Sequence, residues 1–169
     1  MRAFRALIAL AVSCTALVLA GEVAAGGTEG SVSVTLGGRE LSCTDYRGLP
    51  VRTYEVAGLG DAGFSEMFFK VPVIKIDPDV MGTLPGKLQV FFFLHECGHH
   101  KLGHLVSGSA QAETEADCWA IHTGRENHFY DRDDIVAFGH YFEASGGSLA
   151  GHLPGPQRHA FLLACFDES

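Results

Sequence analysis

The stretch Phe91-Phe92-Phe93-Leu94-His95-Glu96-Cys97-Gly98-His99-His100-Lys101-Leu102-Gly103-His104 decides how this chain is read. On an α-helix successive residues step by about 100°, so His95 and His99 stand about 40° apart, one turn from each other. Two imidazoles on one face can reach one metal ion. Glu96 lies about 60° round from His99, close to such an ion without being its ligand. A carboxylate in that place can act as general base on water polarised by the metal, the chemistry of the HExxH pattern in zinc hydrolases.

A catalytic zinc takes three protein ligands and keeps a fourth position open. Glu113-Thr114-Glu115-Ala116-Asp117 begins fourteen positions beyond His99, a gap that a loop and a short reversal fill. Glu113 completes a His₂Glu set. Asp117, one helical turn on, is suited to accept the free ring N–H of a ligating histidine. Glu115 is the substitute ligand for a shifted register, but it points about 200° away from Glu113 and has no Asp four residues on. His104 does not fit the three-histidine pattern HExxHxxGxxH, because Gly103 and His104 fall four and five positions after His99 rather than three and six. It is expected in a loop or at the surface.

With HECGHHKLGH followed by ETEADCWA, the chain resembles the gluzincin metallopeptidases, and within them the family of the CAAX prenyl protease and the heat-shock protease HtpX, whose pattern is HExxH then ExxxD. The likeness runs over residues 74 to 166. It implies a zincin-like fold in which His95, His99 and Glu113 bind one zinc ion, Glu96 is the base and Asp117 supports a ligand from behind. That family also has a His-Pro-rich turn followed by Arg, which makes His152 and Arg158 candidates to stabilise the oxyanion as water attacks a carbonyl. Here the turn reads His152-Leu153-Pro154-Gly155-Pro156, a departure from the family. The best-known members carry several membrane spans, and this sequence offers none after its N-terminus.

Residues 1–25 have the form of a secretory signal peptide: Arg2 and Arg5, an apolar run from Ala6 to Ala20, then small residues around Val23-Ala24-Ala25. The run is short for a bilayer span of about 20 residues. Cleavage after Ala25 leaves residues 26–169 as one domain, periplasmic or secreted. A net charge of −8 without a basic stripe argues against nucleic acid or anionic lipid as partners. Cys43, Cys97, Cys118 and Cys165 lie beyond the leader, and an even number in an exported chain implies disulfides, with three possible connectivities. Cys97 stands about 200° round from His95, away from the metal. Pairing Cys97 with Cys118 would tie the two ligand helices together, and Cys43 with Cys165 would then join the ends of the domain.

The rest reads as one α+β domain with a small sheet on its N-terminal side. Val32, Val34 and Leu36 alternate as in an edge strand, and Leu41 to Val56 reads as strand and loop. The glycine-dense run Ala57 to Gly63 lacks the Lys-Ser/Thr ending of a phosphate loop and reads as a plain loop. Lys70 to Ile76 is the clearest strand, and Pro72 makes it an edge strand or marks its start. An edge beside the site would let an extended peptide add by backbone hydrogen bonds. Further helices are expected over Ala110 to Thr123, Asp131 to Ala144, and from Pro156 through Cys165. Together these features predict an exported zinc-dependent metalloendopeptidase acting on peptides or unfolded protein. An expectation of a different class is a zinc-stabilised, catalytically weak module that binds peptides or acts as a chaperone.

Overall fold

Turn residues divide the first half of the chain into five short strands, and apolar periodicity turns the second half helical. The computed structural model describes residues 30–104, 108–148 and 151–168, so the expected leader at 1–25 lies outside the described residues. The strands are β1 (Ser33–Leu36), β2 (Arg39–Thr44), β3 (Pro50–Glu55), β4 (Gly63–Phe68) and β5 (Val71–Ile76). They form one mixed sheet in the order β1-β2-β3-β5-β4, with β3 and β5 parallel and the other neighbours antiparallel. β1 is an edge strand, as its alternation suggests.

The strand expected over Lys70 to Ile76 is present as β5, and of the two readings of Pro72 the start of a strand holds and the sheet edge does not. β5 lies inside the sheet between β3 and β4, and β4, which the sequence reading leaves unassigned, forms the second edge. Pro72 is tolerated because it sits at the start of β5. It faces Met67 of β4, and the parallel ladder with β3 begins one residue later, at Arg52 opposite Val73. The missing N–H therefore breaks no ladder on the β3 side. Phe69 and Lys70 connect β4 to β5, and both adopt left-handed backbone, with φ of 46° and 69°. Two successive positive φ values are the geometry of a tight hairpin turn that favours Asn-Gly. Left-handed backbone costs a residue with a Cβ roughly 1–2 kcal/mol.

Five helices follow: α1 (Pro78–Gly82), α2 (Gly86–Leu102), α3 (Ala110–Glu126), α4 (Arg132–Phe142) and α5 (Gly155–Asp167). α2 crosses the inner face of the sheet against β2, β4 and β5, α3 packs on α2, and α5 packs on α3 and α4. Being enclosed from both sides, α2 buries residues all round its axis, including Leu88, Phe91, Phe93 and Cys97. Phe91 and Phe93 are fully buried together with Ile74, Ile76, Ile121, Ile135 and Leu162. Each such side chain contributes about 1.5–3 kcal/mol of burial free energy. Pro156 stands in the first turn of α5, as its fixed φ favours. Among the described residues no helix is long and apolar enough to cross a membrane.

The disulfides differ from the expected pairing. Cys43 joins Cys97 and Cys118 joins Cys165, with Cα–Cα separations of 5.7 and 5.3 Å. Helix geometry explains the correction. α3 lies on the metal-facing side of α2, and Cys97, about 200° round from His95, points to the opposite side, where β2 brings Cys43. Cys118 follows Asp117 on α3 and meets α5, where Cys165 sits seven residues after Arg158.

α2 and α3 pack closely at Gly98. A Cβ built there would lie 3.2 Å from the Ala116 carbonyl oxygen and 3.3 Å from the Ala116 Cα. Those atoms belong to a helix backbone and cannot swing aside. Gly98→Ala is therefore expected to force the helices apart, to lower stability by about 1–3 kcal/mol and to weaken metal binding. Thermal melts with and without metal check both effects.

Candidate metal centre

His95 and His99 come from adjacent turns of α2, and Glu113 from the first turn of α3. Ser109 caps α3 by accepting a hydrogen bond from the Ala112 N–H at 3.1 Å, which fixes where that first turn begins. A carboxylate there also faces the positive end of the helix dipole. The three side chains converge. His95 Nε2 and His99 Nε2 are 3.2 Å apart, and Glu113 Oε2 lies 3.1 Å from the first and 3.5 Å from the second. Tetrahedral ligands bound at about 2.0–2.1 Å stand roughly 3.3–3.4 Å from one another, so the observed spacing fits one ion.

A second observation agrees with the spacing. Glu113 Oε2 is buried and approached by three ring nitrogens, those of His95, His99 and His152, the last at 2.6 Å, yet it has no aligned hydrogen-bond partner. A buried carboxylate oxygen facing several ring nitrogens suits a shared cation. His95, His99 and Glu113 are the group of described residues that can hold a metal ion.

Behind this group stands a buried ion pair. Asp117 Oδ1 lies 2.7 Å from His95 Nδ1 and 2.6 Å from Arg158 Nη2, while Arg158 Nε donates to Asp117 Oδ2 at 2.8 Å. The fork of the guanidinium thus neutralises Asp117, and Asp117 orients the His95 ring so that Nε2 faces the centre. Burial opposes charge on His95, but the Asp117 carboxylate and the contact with Glu113 outweigh it and push its pKa up to about 9. Burial would raise Asp117 too, yet His95 and Arg158 bring it down to about 2. Glu113, despite burial, is held far below the usual carboxylate range by His152, His95 and His99.

A pH dependence follows. Below pH about 9 a proton competes with the metal for His95 Nε2, so binding should release one proton. Apparent affinity is expected to rise about tenfold per pH unit toward that value and to level off above it. Competition against a chromophoric chelator across pH 6–9.5 measures this. Asp117→Asn removes the charge that raises His95 and should move the break to lower pH.

No protein-family model, curated protein or solved structure matches the chain.

Glu96 follows His95 on α2 and lines the same cleft. Its carboxylate Oε2 accepts a 2.7 Å hydrogen bond from the Ser65 hydroxyl, which also contacts the Glu96 carbonyl at 2.7 Å. Ser65 belongs to β4, so the edge strand fixes the carboxylate. Nothing in the sequence singles out Ser65, since one serine in an unrecognised strand carries no pattern. A cleft opens next to Glu96 and His95, walled by Leu84, Phe92 and Tyr141, with Ser148 and His152 at its other side. His152 is held by Ser148, whose Oγ lies 2.9 Å from His152 Nδ1. Arg158 also borders the cleft, but its Nε and Nη2 are committed to Asp117. His104 pairs with Glu115 at 2.8 Å, away from the converging ligand atoms, and so neither joins the metal group.

Proposed function

We propose that this protein is an exported zinc-dependent metalloendopeptidase with a zincin-like fold, resembling the gluzincins, that hydrolyses peptides or unfolded protein. The observation that carries the reading is the convergence of His95 Nε2, His99 Nε2 and Glu113 Oε2, with the Glu96 carboxylate alongside and a cleft in front. Two histidines and a carboxylate with an open side suit zinc in a catalytic setting. Zinc, when bound, would supply Lewis-acid polarisation of water and of the scissile carbonyl.

The chain's own groups do the rest. Glu96 takes the proton from the attacking water and passes it to the leaving amine. Ser65 holds the carboxylate in position from the edge strand. His152 borders the cleft with Nε2 at 2.6 Å from Glu113 Oε2 and Nδ1 held by Ser148, and would donate Nε2–H to the oxyanion once an ion engages Glu113. Arg158 acts through Asp117, steadying the His95 ring. An extended substrate adds to the free edge of β4, and the Leu84, Phe92 and Tyr141 wall receives an apolar side chain. The two disulfides support an oxidising compartment, periplasmic or extracellular.

The test is to incubate the purified zinc-loaded protein with a diverse peptide mixture and identify products by mass spectrometry beside a Glu96→Gln control. Cleavage by the wild type alone supports the reading. Peptides bound but uncut by both proteins point instead to a zinc-stabilised binding module.

A further inference from the structure

The β4–β5 hairpin carries four large apolar side chains that the core does not use, three of them at its tip. Phe64, Phe68, Phe69 and Val71 are 42, 56, 87 and 46 % exposed. The Phe68 and Phe69 rings meet edge to face at 4.7 Å. Phe69 sits in left-handed backbone, where asparagine or glycine is favoured, so neither packing nor turn geometry accounts for a phenylalanine there. Exposed aromatics clustered on strained backbone suit a partner surface. Glu66 and Lys75 pair at 2.6 Å on the same hairpin, and Lys70 is exposed in its turn beside the aromatic rings.

Position along the strand identifies that partner. β4 starts at the site: Ser65 bonds Glu96, and a Cβ at Gly63 would lie 3.5 Å from Glu96 Cγ. From Ser65 the strand runs three residues to Phe68, about 10 Å at 3.3 Å per residue, and Phe69 opens the turn beyond it. A peptide laid along the free edge of β4 shares that repeat. Its residue opposite Ser65 is at the reacting bond, and the residue three or four further on lies at Phe68 and Phe69.

We infer that Phe68 and Phe69 form a remote subsite for an apolar side chain three or four residues from the scissile bond, so that long unfolded segments bind better than short peptides. The inference rests on the peptidase reading and concerns the same substrate.

The test uses zinc-loaded Glu96→Gln protein, so that binding is measured without cleavage, with two probes. One is fluorescein-labelled, reduced and carboxymethylated lactalbumin, a permanently unfolded chain, and the other is a hydroxamate-capped dipeptide that reaches only the metal and the cleft. The tip variant is Phe69→Asn, which suits the left-handed turn, keeps Lys70 and should keep or raise the melting temperature, combined with Phe68→Ser in a second protein. The expected result is about tenfold weaker binding of the unfolded chain by either variant, with unchanged dipeptide affinity. Equal binding of the unfolded chain by parent and variants overturns the subsite and leaves the peptidase reading standing. Failure of the parent to bind either probe overturns both. A parent that is dimeric by light scattering, or that binds phosphatidylcholine vesicles, and loses this in the variants assigns the tip to self-association or to a bilayer and also overturns the subsite.

Discussion

Glu96→Gln is expected to lower peptide turnover by roughly 10²–10⁴-fold, the range of general acid–base catalysis, while leaving the metal in place. Glutamine preserves the size of the side chain and an oxygen for the Ser65 hydroxyl, so the local structure has no reason to change. What it loses is the capacity to take a proton. At 1.36 kcal/mol per decade, the loss corresponds to about 3–5 kcal/mol of transition-state stabilisation. Because the substitution leaves the proposed ligands His95, His99 and Glu113 untouched, metal content measured on the same sample should not fall. Full activity in this variant would falsify the assignment of Glu96 as base.

Glu113→Ala is expected to weaken metal binding by more than about a hundredfold, since even partners that only support a ligand are worth roughly 10–100-fold. The change removes the one anionic donor of the set and leaves two imidazoles of α2 without the group that crosses from α3. Activity should vanish together with the metal, which separates this variant from Glu96→Gln. Glu115→Ala is the control on the same helix. Its carboxylate faces His104 and Gln111, so chelator competition should find its metal affinity unchanged. Loss of metal from Glu115→Ala with retention by Glu113→Ala would reverse the ligand assignment.

The centre was legible because helical phase is a local property. Once Phe91 to His104 is taken as a helix, the relative directions of His95, Glu96 and His99 follow from 100° per residue, and Glu113 with Asp117 obeys the same rule on α3. Fold class was legible for a related reason, since strand and helix periods occupy different halves of the chain. Pairings across space were not. Whether β5 is inner or outer depends on whether Gly63 to Phe68 forms a strand, and its exposed Phe64 and Phe68 hide the alternation. The cysteine connectivity depends on which face of α2 meets α3. The 200° offset of Cys97 from His95 already contained the answer, because the helix carrying Glu113 must lie on the ligand side. Ser65 and the Asp117–Arg158 fork became visible only when tertiary neighbours were known.

The two disulfides follow one another along the chain without overlapping, the first closing residues 43–97 and the second residues 118–165. Chemically, the oxidised chain is two rings in series. His99 lies just after the first ring and Glu113 just before the second, so the proposed ion would bridge the connection that no sulfur crosses. Chelation would remove that bridge and leave both rings closed, with the packing of α2 on α3 still joining them, whereas reduction would open the rings and leave the bridge.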